Sequence, residues 1–155
     1  MTTSSSQPAA KTGANGTYIA LAVTGVLFLS LAAPRLLATV GLISQDNLQV
    51  LGMFVGLGLV LPTAASLLVT AILSLKCLVR GSTVIRVRLV AWWVVGVGGI
   101  SISQVLASTP GFNPYLGTPQ PTFGAGDALL VICLGFCALM PYRWRLLVVS
   151  EHNAH

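Results

Sequence analysis

Charge is the first thing this sequence lacks. Only 7% of its 155 residues are charged, and Asp and Glu together number three, whereas a soluble domain carries about 25% charge to present a polar skin to water. With 55% hydrophobic residues, a fold solvated by water alone is excluded. Histidine is confined to His152 and His155 at the very end, so paired imidazoles cannot hold a membrane haem in this chain acting alone. No Asp, Glu, Lys, Arg or His falls in the central third of any long apolar run, where ion and proton pathways place ionisable groups. Proton-coupled transport through this chain by itself is therefore not expected. Nor does any acid and base, or nucleophile and base, converge by spacing, which argues against independent catalysis.

What the sequence has instead is four apolar runs, at 17–37, 48–75, 89–107 and 126–147. About 20 helical residues cross a hydrocarbon layer of about 30 Å. Backbone groups inside that layer must be satisfied internally, and runs this long without strict alternation form helices rather than barrel strands. The fold class expected is all-α: a polytopic membrane protein built as a four-transmembrane-helix bundle. Residues 1–16, rich in Ser, Thr, Ala and Gln, read as a flexible tail, and 148–155 as a short second tail. A signal peptide competes for the first run, but its leading region carries only Lys11, so retention is expected. Pro62 lies within the second run, where its ring and missing N–H predict a kink back to Gly58.

Eight Lys and Arg give a net charge of +5, but they stand singly or in short groups beside the apolar runs. That pattern signals topology rather than a nucleic-acid face, and the missing aromatic interleaving also argues against nucleic acid. The connection 76–88 holds Lys76, Arg80, Arg86 and Arg88, while 108–125 holds no charge at all. The first is expected on the cytoplasmic side and the second outside, with both termini inside. A bacterial inner membrane or plasma membrane fits this pattern, and an organellar membrane remains open. Arg80, Arg86 and Arg88 also suit contact with anionic lipid or a partner. Trp92, Trp93, Tyr142 and Trp144 stand at interfacial depth, where aromatic belts form.

The uncharged loop 109–124 contains four prolines and three glycines, which predicts order without regular elements. Its Phe112 and Tyr115 are candidate contacts to lipid or to a partner. Asp127 opens the fourth run, where a carboxylate favours the first amides of a helix. Arg35 and Asp46 flank the first outer connection and are candidates for a surface pair of small energetic weight.

Small and hydroxyl residues form the most informative pattern. Gly52, Gly56, Thr63, Ser66 and Thr70 recur at spacings of three, four or seven, which sets them on one helix stripe. Gly96, Gly99 and Ser103 do the same on the third run; Ala22, Gly25 and Ala32 or Ala33 on the first, and Gly135 with Ala138 on the fourth, offer flatter faces. Small side chains permit close backbone approach in lipid, so helix packing or an interface is the first reading. A bound lipid, quinone or pigment is the sharper one, and Thr63, Ser66 and Thr70 are also candidates for a polar path. Cys133 and Cys137 read as small buried residues without the extra ligands a metal needs. Cys77 borders the basic connection, where palmitoylation is one option.

Together these features point to a nonenzymatic structural or accessory subunit of a larger integral membrane complex, packing against other integral membrane subunits through its small-residue faces. Structural lipids are the expected bound class, retained along with any cofactor at an interface; no metal or haem ligand set is present in the pattern. The alternative is a small transporter or channel formed by self-association.

Overall fold

Pro8 sits in the first turn of the opening helix, where its missing N–H costs nothing, and nothing after it breaks the run. In the computed structural model the first helix, α1, accordingly spans Gln7–Thr39. Backbone is described for residues 7–107 and 124–153, and side chains for 15–44, 47–106 and 124–147. After α1 come α2 (Gln45–Arg80), α3 (Thr83–Ala91), a π-helical segment (Trp92–Gly98), α4 (Gly99–Ala107) and α5 (Ala125–Asn153). Segments α3, π and α4 form one continuous third span. Four helices are long and apolar enough to cross a membrane, at Asn15–Thr39, Asn47–Arg80, Thr83–Leu106 and Ala125–Leu147. The chain is thus the all-α four-span bundle that its apolar runs imply.

Helix ends differ from the sequence expectation because apolar content marks the hydrocarbon, not the end of hydrogen bonding. Residues 7–16 continue α1 rather than forming a tail, and α5 runs on to Asn153 through most of 148–155. Pro62 lies inside a helix that continues on both sides of it. The loop 109–124, with Phe112 and Tyr115, lies outside the described residues apart from Gly124.

Connections between the helices are short where they are described. After α1 the chain reverses through Gly41, whose φ of 78° is left-handed. The Gly41 amide donates to the Ala38 carbonyl at 3.0 Å and the Leu42 amide to Leu37 at 2.9 Å. This pair of bonds is the glycine-dependent cap that closes many helices, satisfying carbonyls that the helix itself leaves open. Between α2 and α3 only Gly81 and Ser82 intervene. There Gly81 donates to the Cys77 carbonyl at 2.7 Å, and a Cβ at that glycine would strike the same oxygen.

Packing order does not follow chain order. α1 lies along both α2 and α5, and the third span lies along α5, while α2 meets the third span about the short connection between them. The row is therefore α2, α1, α5, third span, drawn together at the end that carries Lys76 to Arg88. Tyr18, Leu21, Leu89, Trp92 and Cys137 form the buried centre at that end, with Cys77, Leu78, Ile85, Phe136 and Trp144 against it. At the opposite, Arg35 end, α1, α4 and α5 meet.

Candidate functional site

Two helix seams concentrate nearly all the polar chemistry of the chain. In the first, between α1 and α2, Thr24 is fully buried. Its hydroxyl donates to the Ala20 carbonyl at 2.9 Å and lies 2.7 Å from Ser66 Oγ and 2.8 Å from Thr70 Oγ1. A hydroxyl has one proton and two lone pairs. With its proton committed to Ala20, Thr24 accepts from both Ser66 and Thr70, and its capacity is full. Seven residues earlier, Thr17 Oγ1 lies 3.2 Å from Cys77 Sγ. The hydroxyl stripe expected on α2 thus faces α1, with Ser66 and Thr70 engaged across the seam. Thr63 Oγ1 and Ser74 Oγ on the same stripe are buried with no hydrogen-bond partner.

Continuing that stripe toward the Arg35 end reaches Gly56 and Gly52, and there the surroundings change. Nothing lies within 4 Å of a Cβ built at Gly52, Gly56 or Gly58. Met53, Phe54, Leu57, Val60 and Leu61, on the other side of the helix, are exposed. The stripe face stays half-buried through Leu59, Gly56, Val55 and Gly52, so what changes along it is closeness of approach: hydroxyls bond to α1, whereas among the described residues nothing adjoins the space a glycine Cβ would take.

The second seam joins α5 to both α1 and the third span. At Gly25 a Cβ would strike the backbone carbonyl of Cys137, at Gly96 the Cys137 sulfur, and at Gly99 the Cys133 sulfur. Glycine is required at these places because backbone and thiols of α5 occupy the space. Gly96, Gly99 and buried Ser103 fall on the face that α5 covers, and Ser103 donates back to the Ile100 carbonyl at 2.7 Å. On α5 the knobs are Cys133 and Cys137; Gly135, named with Ala138 for a flat face, has nothing within 4 Å. Ala138 does lie in the contact, through its backbone nitrogen beside Gly25.

Trp92 completes this seam in a way that belt chemistry does not anticipate. Its ring is fully buried within the chain, and Nε1 donates to the Cys137 carbonyl at 3.1 Å. In a regular helix that carbonyl would accept from the amide four residues on, but the residue there is Pro141, which has no N–H. The indole replaces the missing donor from a neighbouring helix. The third span is π-helical over Trp92–Gly98, the same stretch that contributes both this indole and Gly96 to the seam. Such insertions of wide helix re-aim side chains within an otherwise α-helical run.

Around Trp92, four other rings assemble at the basic end. Tyr18 and Trp144 have centroids 6.0 Å apart, Phe136 and Trp144 6.2 Å, and Trp92 meets Trp93 edge-on at 5.4 Å. The Arg88 guanidinium stands 6.0 Å from the Trp144 ring, at the outer reach of a cation–π contact. Arg86 donates to the Val79 carbonyl at 3.2 Å, one of the last carbonyls of α2, and Arg80 occupies that helix's last turn, where positive charge is favoured. The basic cluster therefore joins the turn between α2 and α3.

At the other end, three elements meet in a polar cluster that the sequence did not pair. Arg35 Nη1 donates to Gln104 Oε1 at 2.9 Å, and Nη2 lies 3.5 Å from Asp127 Oδ1. Arg35 thus engages Asp127 and Gln104; the side chain of Asp46, its expected partner across the first outer connection, lies outside those described. Asp127 is in the first turn of α5, as expected of a helix-starting carboxylate, and its Oδ2 accepts the Gly124 amide at 3.2 Å. That bond is the carboxylate half of a capping box.

Among the described residues, no three His, Cys, Asp or Glu side chains come close enough to hold a metal ion, and the three cysteines are free thiols. Cys77 is half-buried on Thr17, and Cys133 and Cys137 are buried in the α5 seam. No catalytic arrangement is formed by the groups at either seam. No protein-family model matches the chain, and no curated protein or solved structure is significantly similar to it.

Proposed function

We propose that this protein is a nonenzymatic accessory subunit that packs against other integral membrane proteins through the Arg35-end half of α2. The observation that carries this reading is the exposed apolar face of α2 opposite its α1-facing stripe. The hydroxyl stripe is engaged by α1, whereas on the other side of the helix Met53, Phe54, Leu57, Val60 and Leu61 are exposed and Gly58, off the stripe, leaves room for close helix approach. Of the hydroxyls that could serve transport, Ser66 and Thr70 are engaged in holding α1 to α2. In this reading the basic connection faces the cytoplasm with both termini, and Gly52 and Gly56 sit in the opposite leaflet.

Purification of the full chain from its native membrane in a mild detergent, followed by mass spectrometry, tests the assignment. Unlike membrane subunits are expected in stoichiometric amounts, and cross-links from Gly56→Cys should reach one of them. A stable homo-oligomer that is active when reconstituted alone would overturn it. The self-associating transporter draws on Thr63, Ser66 and Thr70, but Ser66 and Thr70 are bonded to Thr24 within one chain. Solute flux in liposomes holding only this protein, abolished by altering those hydroxyls, would restore that alternative.

A further inference from the structure

Between α1, α4 and α5 the helices leave a half-open slot of about 290 Å³. Its walls include Phe28, Leu31 and Ala32 from α1, Ile100 from α4 and Leu134 from α5, and its polar lining is Arg35 and Gln104. Register makes the slot graded. Arg35 is one turn beyond Leu31 and Ala32, Gln104 one turn beyond Ile100, and Asp127 one turn before the lining residue Leu130, all toward the same membrane end. Apolar wall therefore lies toward the bilayer middle and the polar cluster toward its surface. The volume sits at the lower edge of the range that bound ligands occupy, about 300 to 1,000 Å³, which suits one extended chain.

Charge at the polar end is directional. In the Arg35–Asp127 pair the carboxylate side chain is 6% exposed and the arginine 35%, so the pair turns its positive member outward. An arginine in that position favours an oxygen anion.

We propose that this slot binds an amphiphile, with one alkyl chain along Phe28, Leu31, Ala32 and Ile100 and a carboxylate or phosphate head at Arg35. A free fatty acid and an anionic phospholipid present the same chemistry there. No residue of α2 lines the slot, so the proposal stands apart from the partner reading of that helix.

Native mass spectrometry of the detergent-solubilised full chain, titrated separately with palmitate, phosphatidylglycerol and phosphatidylcholine, tests it. Binding of palmitate, phosphatidylglycerol or both is expected to exceed that of phosphatidylcholine, and the arm that binds identifies the source. Arg35→Gln should weaken the anionic ligand roughly tenfold, as loss of a charge-assisted contact does. Ala32→Phe, which fills the slot and keeps the charge, should weaken it as well, whereas Arg88→Gln at the far end should not. Equal binding of all three lipids, indifference to Ala32→Phe in protein of unchanged helicity, or an equal loss from Arg88→Gln would overturn the proposal.

Discussion

Helix α5 and the Arg35-end half of α2 are built from much the same residues, Gly, Leu, Val and a single proline, yet they are used in opposite ways. Of the most apolar stretch of α5, 39% is buried within the chain, against 11% for α2. Each has its proline, but Pro141 is buried and its orphaned carbonyl is answered by Trp92, whereas Pro62 is exposed. Each relies on glycine, but the glycines facing α5 would strike backbone or sulfur if enlarged, and those of α2 would meet nothing. In a bilayer, hydrophobicity does not separate inside from outside, because lipid tails are as apolar as Leu. What separates the two regions is whether small residues find something to fit.

Substitution at glycine breaks this contrast most sharply. Gly25→Leu should lower stability by about 3 kcal/mol, the upper range for overpacking against a backbone that cannot yield, whereas Gly56→Leu should leave the isolated chain within about 0.5 kcal/mol of the parent. Reversible unfolding in mixed micelles, read by circular dichroism, measures both. Equal losses at the two sites would erase the distinction between closed seam and open stripe. Gly56→Leu is instead expected to strip partners from the chain in native purification.

A double substitution sharpens the proline comparison. Trp92→Phe leaves the Cys137 carbonyl buried and unpaired, at an expected cost of about 1–3 kcal/mol. In a Pro141→Ala background an amide returns to the helix, and the same Trp92→Phe change should cost less than half as much. Additive losses in this cycle would show that the indole contributes by packing alone. A smaller effect is expected at the α1–α2 seam, where Thr24→Val removes the shared acceptor of Ser66 and Thr70. Interhelical hydrogen bonds in membranes average about 0.6 kcal/mol each, so a loss of about 1–2 kcal/mol should appear in the same unfolding measurement.

Much of this architecture is legible before any coordinates. Run length gives the four spans, and the spacing of Gly96, Gly99 and Ser103 marks a face that α5 does cover. Spacing could not tell that Ser66 and Thr70 bond across to α1 while a Cβ at Gly52 or Gly56 would meet nothing, because periodicity defines a face of one helix and says nothing of how closely its neighbour approaches. Arg35 was matched to Asp46 by nearness in sequence, while its partners come from α4 and α5. Thr17 and Thr24, one heptad apart on α1, carried a usable signal: they mirror the hydroxyl stripe of α2. The service of Trp92 to Pro141 was hidden because a proline announces the carbonyl it abandons but not the helix that answers.

The central position of the last helix sets a timetable for synthesis. α1 and α2 can pair through Thr24 as soon as both have left the ribosome and entered the bilayer, but the Gly25 face of α1 and the Gly96 and Gly99 face of the third span are both shaped for α5. Those faces must wait, uncovered among lipid tails, until the final span is made. Arg35 likewise meets Asp127 only once α5 is made. Truncation anywhere before Asp127 would therefore leave the Gly25, Gly96 and Gly99 faces without the helix they fit.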